Sequence, residues 1–178
     1  MNRFLHFAVL AVLLIALVPF SGFGQDLGAV SENTQTRLSK DEVTKLMIQV
    51  GRLPVTEQDS RMDRIWKDPS GSRTPRSDFL FCAGLAYLGN PEAQAYLGRA
   101  FENGRGIVED PYESYVWYTI ALDNSVRDEE AKQKIEKARD RVKLGLVSVY
   151  PAPSDQELEE LVKAQEQRIA ECRAEISD

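Results

Sequence analysis

The feature that most constrains this chain is a joint between two helix-like runs, AYLGRAFENGRGIVEDPYESYVWYTIAL at residues 95–122. Ala93, Leu97, Ala100 and Phe101 recur at helical spacing and predict one apolar face. Gly98 interrupts that helix at a cost of about 1 kcal/mol relative to alanine, which calls for close approach by a neighbouring helix. Gly104 ends the run, because glycine accepts the left-handed backbone that other residues resist, and Gly106 lets the chain reverse. Ile107 is placed to cover the turn from its apolar side. Asp110 is a strong N-cap, Pro111 suits the first helical position, and Glu113 stands where a reciprocal cap is completed. A phosphate-cradling loop would follow a strand and carry Lys-Ser/Thr or a third glycine, and GRGIVED has neither. The turn reads as a joint.

The joint belongs to a repeat. Sliding the chain on itself by 38 residues lays FLFCAGLAYLGNPEAQ, from Phe79, over WYTIALDNSVRDEEAK, from Trp117. Ala83 falls on Ala121, Glu92 on Glu130, Ala93 on Ala131 and Leu97 on Ile135, after which the likeness fades. A period in the thirties made of two helices marks a helical solenoid, each unit burying its apolar face against the next. The expected fold is therefore all-α, a short antiparallel helix-pair solenoid over residues 77–145. A long C-terminal helix follows over 154–178, with Ser154 and Glu157 spaced as a capping box, and LVSVY at 146–150 serves as a connector.

The joint also resembles the Sel1-like repeat, a branch of the tetratricopeptide-like solenoids. The matching positions are Ala93, Leu97, Gly98, Phe101, Gly104, Gly106, Ile107, Asp110, Trp117, Tyr118 and Ala121. One unit, about residues 90–125, matches well. Phe101 stands where tyrosine is usual, and Ser114, Tyr115 and Ile120 are bulkier than the family prefers. The resemblance implies an adaptor that holds a peptide or a partner protein on stacked helices.

The N-terminal part obeys other rules. Arg3, an apolar run from Phe7 to Phe20, and Gly22 and Gly24 before a cut after Gly24 have the layout of a secretory signal peptide over residues 1–24. The run is short of the ~20 residues a membrane span needs. The expected location is periplasmic or secreted, with an uncleaved N-terminal anchor as the alternative. No integral membrane span is expected once the leader is removed. Residues 25–76 read as a flexible, partly helical segment. It holds a short helix after Ser39, capped by Glu42, then a long connection with a turn of helix around Met62 to Trp66. Arg61, Arg64, Lys67, Arg73 and Arg76 make that connection basic, either as a solvated linker against acidic helices or as a strip for an anionic partner.

Composition narrows the chemistry. Cutting after Gly24 leaves 21 basic against 28 acidic residues, a balance that argues against nucleic acid as a partner. His6, the single histidine, lies in the expected leader, which removes His-based nucleophile triads and histidine-ligated metals. No catalytic residue, cofactor or metal site is expected. Adjacent acids such as Glu109-Asp110 and Glu159-Glu160 occur on any acidic helix, and hydrolysis of a glycoside needs two acids facing each other across a cleft. Cys82 and Cys172, both on inward stripes, suggest one disulfide in an exported protein, or two buried small side chains. Trp117 shares a stripe with Ser114 and Ala121 and reads as core, while Tyr96, Tyr112 and Tyr115 are the candidate partner contacts. The leading expectation is an exported protein-protein interaction module. The alternatives are a small cell-envelope enzyme or enzyme inhibitor, and a structural assembly accessory protein.

Overall fold

A computed structural model describes residues 37–67, 74–124 and 128–177. The expected leader and most of the polar stretch that follows it lie outside these residues, as does Arg73. The described chain is all-α: α1 (Lys40–Gly51), α2 (Val55–Lys67), α3 (Pro75–Tyr87), α4 (Pro91–Glu102), α5 (Pro111–Asp123), α6 (Glu129–Val147) and α7 (Asp155–Glu175). No helix among the described residues is long and apolar enough to cross a membrane.

Local chemistry sets the helix starts. The Ser39 and Ser154 hydroxyls accept from the N–H groups of Glu42 and Glu157, whose carboxylates accept in return from the serine N–H groups. Asn90 caps α4 and Asp128 caps α6, one 38-residue period apart. Pro91 and Pro111 open α4 and α5, at the position where a missing N–H costs nothing. Asp110 accepts from both Tyr112 and Glu113 N–H. The expected reciprocal bond from Glu113 is not made, because its side chain turns instead to Arg37, 3.3 Å away.

Packing follows the repeat. α3 pairs with α4 and α5 with α6, α4 against α5 joins the two units, and α1 packs on α3. Ala93, Leu97, Phe101, Trp117, Tyr118 and Ala121 are all buried, as their spacing demands. Phe79 and Trp117, related by the 38-residue shift, fill equivalent core positions. Gln94, fully buried, donates to Ala86 O on α3 and accepts from Asn124 at the end of α5, so one amide ties three helices.

Two glycines carry the joint. At Gly98 a Cβ would lie 2.6 Å from the Tyr118 ring, and Ser114 Oγ donates to Gly98 O at 2.9 Å, so α4 and α5 meet almost backbone to side chain. At Gly106 φ is 77°, and a Cβ would lie 2.3 Å from Pro75 O. Arg76 closes that contact by donating to Gly106 O at 3.1 Å. The glycine turn thus rests on the first turn of α3, one helix pair back.

Residues 40–67 are more ordered than the expected long connection. α2 runs for 13 residues rather than one turn, and α1 buries Val43, Met47 and Val50. Gly84 admits α1 so closely that a Cβ there would lie 2.9 Å from Leu46 O. α2 reaches the body by long side chains rather than by close backbone approach. Met62 meets Cys82, Arg61 lies over the Phe81 ring at 4.1 Å, and Trp66 meets Tyr96.

Candidate functional site

α1 and the first helices of the two pairs, α3 and α5, form a row, and α7 lies against all three. Its buried positions are Leu158, Val162, Gln165, Ile169 and Cys172, alternating four and three residues apart. That is the seam of a helix seated on other helices, with an apolar knob at every position except the middle one. Val162, Ile169 and Cys172 join the same core as Val43, Met47, Phe79, Tyr87 and Trp117. Leu158 joins a second cluster with Tyr118, Ala121, Ile135, Val142 and Leu146.

The polar position at the centre is fully used. Gln165 Nε2 donates to Tyr87 Oη at 2.9 Å while its Oε1 accepts from Arg37 Nη2 at 2.8 Å. Arg37 also faces Glu113, and Arg168 donates to Leu38 O and leans over the Tyr87 ring. Tyr87 packs at a tilt on Trp117, ring centres 5.4 Å apart. Burial pushes the Tyr87 phenol up from its ordinary value and does the same to Glu113, with Arg37 opposing the second shift. A residual cavity of about 20 Å³ is left beneath Arg37, Leu38, Glu113 and Arg168, so α7 and residues 37–38 nearly fill the row.

The end of α7 is fixed by charge. Arg173 Nε donates to Tyr87 O at 2.6 Å, a cation at the carbonyl end of α3 where the helix dipole favours one. Its guanidinium occupies the space where a side chain at residue 89 would go, and Gly89 has φ 97°. Lys40 pairs with Glu175 at 2.8 Å and Glu171 at 3.7 Å, and Thr44 donates to Glu175. At the other end Lys143 pairs with Asp155.

The sequence-derived contact residues fare unequally. Tyr96, expected on an exposed face, is 0% exposed, because α2 covers it with Trp66. Tyr112 is 39% exposed in the first turn of α5, and Tyr115 is half-buried against both clusters. The expected bridge is not formed, since Cys82 and Cys172 are free thiols. Cys82 faces Met62 of α2, Sγ to Sδ 3.7 Å, whereas the charges around Cys172 are Lys40 of α1 and Arg168, Glu171 and Glu175 of its own helix. Burial pushes the Cys82 thiol far above its ordinary range, which makes it inert.

The spacing of the joint did not point to Arg37, Lys40, Tyr87, Gln165, Arg168 or Arg173. The signal available was the 4-3-4-3 stripe of α7 with a glutamine at its centre, since an amide in such a seam needs partners on the facing surface. Among the described residues no three His, Cys, Asp or Glu side chains are grouped to hold a metal ion. Compared with known proteins, the chain matches no family model, no curated protein and no solved structure.

Proposed function

We propose that this chain is an exported interaction module that holds a peptide or helical segment of a partner protein on a helical-repeat frame of the Sel1-like kind. The observation that carries the reading is the seating of α7. The row α1, α3 and α5 receives a helix through apolar knobs, a central amide and charges at the helix ends. These are the elements by which grooves recognise amphipathic helices. In this reading the repeat residues from Ala93 to Ala121 build the frame, and recognition falls to side chains left outside the core. Tyr112, beside the joint, is the leading contact, and Tyr115 contributes from its exposed edge.

The test is site-specific photo-crosslinking of the full chain in its exporting host, with the reactive group at Tyr112 and, as a distant control, at Val55, which is 69% exposed. A discrete adduct with one other protein from position 112 and none from 55 supports the reading. Folded protein that yields no adduct, or the same adducts from both positions, overturns it.

A further inference from the structure

The end of α6 leaves an apolar surface in water. Of the nine large apolar side chains that stay exposed among the described residues, four, Leu144, Val147, Val149 and Tyr150, lie within residues 144–150. Leu144 is 68% exposed and Tyr150 99%. Leu144 and Val147 are neighbours on one face of α6. The chain goes on turning past the helix, with Ser148 N–H on Gly145 O and Val149 N–H on Leu146 O, which keeps Val149 and Tyr150 at its end. Scattered apolar side chains are ordinary on a surface, whereas a cluster points to something that covers it.

Gly145 bears on what that cover is. Gly84 and Gly98 each admit a neighbour so closely that a Cβ would lie 2.9 and 2.6 Å from it. Gly145 costs α6 helix propensity in the same way, yet a Cβ there would meet nothing within 4 Å. No contact inside the described chain accounts for it. Glycine lets another backbone come close, so its presence beside Leu144 suits a protein neighbour more than a lipid one.

The charges around the cluster select among proteins. At about 100° per residue, the circumference of α6 runs in order from Arg141 and Lys137 through Leu144 to Val147 and Lys143. Bases therefore border the apolar strip on one side. Arg141 is held by Glu102 of α4, and Lys137 is exposed. On the other side Lys143 holds Asp155 at 2.7 Å, which brings the acidic start of α7 to that border, with Glu159 one turn after Asp155. Glu159 also meets Lys163 of its own helix, in an exposed pair that constrains it little. A surface of one sign, such as an anionic bilayer, is repelled along one border. A two-fold axis running along the strip exchanges the borders and lays the bases of each copy against the acids of the other.

We propose that the end of α6 is the contact between two copies of this chain. Leu144, Val147, Val149 and Tyr150 meet their counterparts across the two-fold axis, and Lys137 of each copy faces Glu159 of the other. The pairing does not rest on recognition of another protein, and either can fail alone.

The experiment is sedimentation velocity over a range of concentrations on the full chain isolated from an exporting host. A reversible equilibrium of monomer and dimer is expected. Leu144→Glu is expected to weaken association about tenfold without loss of helix by circular dichroism. Gly145→Ala is expected to weaken it too, while the dilute protein melts no lower than the wild type, because alanine is the better helix former. Lys137→Glu and Glu159→Lys are each expected to weaken association, and an equimolar mixture of the two to restore it, since the mixed pair carries opposite charges at both borders. Vesicles of phosphatidylglycerol and phosphatidylcholine form the lipid arm. A monomer that sediments with the vesicles assigns the face to lipid, and a monomer that does not leaves the face uncovered; both overturn the proposal. So does association that Leu144→Glu leaves unchanged, or a charge-reversed mixture no tighter than its components.

Discussion

At the scale of single residues, Gly98 concentrates the logic of the joint. Alanine there gains up to about 1 kcal/mol of helix propensity. It must also displace a ring whose hydroxyl donates to Glu102 at 2.8 Å, while Arg141 holds Glu102 from α6. Overpacking of that kind costs about 1–3 kcal/mol. Gly98→Ala is therefore expected to lower stability in urea unfolding, and Tyr118→Leu to recover part of the loss. A gain in stability for Gly98→Ala alone would contradict the close packing. Gln165 poses the opposite case, a buried amide whose removal leaves partners behind. Gln165→Ala strands the Tyr87 hydroxyl, and the expected loss is about 1–3 kcal/mol. Combining it with Tyr87→Phe should cost less than the two single changes added together, which a double-mutant cycle measures.

At the scale of elements, α7 is held by an apolar seam in its middle and by ions at its end, and the two respond to different conditions. Ile169→Ala is expected to cost about 2–5 kcal/mol wherever the measurement is made. The Lys40–Glu175 pair is exposed and answers to pH and salt. Bonds from Lys40, then Thr44, hold the Glu175 carboxyl below its ordinary value of 4.5. A depressed native pKa stabilises fully above the unfolded value and is lost as pH falls through the native one. Glu175→Gln should thus melt below the wild type at neutral pH, with the gap closing as the pH drops beneath 4.5. A gap that persists in acid would mean that the charge plays no part. The repeat helices were legible in the sequence, because caps, prolines and glycines are local signals with fixed offsets. α2 was legible only as a turn around Met62 to Trp66, since its inward apolar residues are Met62, Ile65 and Trp66 among charges, and its burial depends on surfaces 20 to 30 residues away. That omission misplaced Tyr96, which would face solvent if α2 were a loop. The docking row was legible only as a stripe on α7, because periodicity marks a buried face without naming what buries it.

At the scale of the whole molecule, α7 changes what kind of solenoid this is. A stack in which units touch only their neighbours unfolds as a sum of local steps. Here α7 touches α1, α3 and α5 together and links the described ends of the array. The expected consequence is a single unfolding transition, with far-ultraviolet and tyrosine signals coinciding. Ile169→Asp, which drives a charge into the seam, should separate the transitions and expose Cys172 to alkylation while Cys82 stays protected. Equal labelling of both thiols in that variant would mean that the fold fails as one piece. The same seating imposes an order on biosynthesis. Tyr87, Val43 and Met47 are made long before Gln165, Ile169 and Arg173, so a nascent chain displays an uncovered apolar row until α7 has emerged. Such a chain cannot close early, and the open row is a surface for holding chaperones until α7 is made.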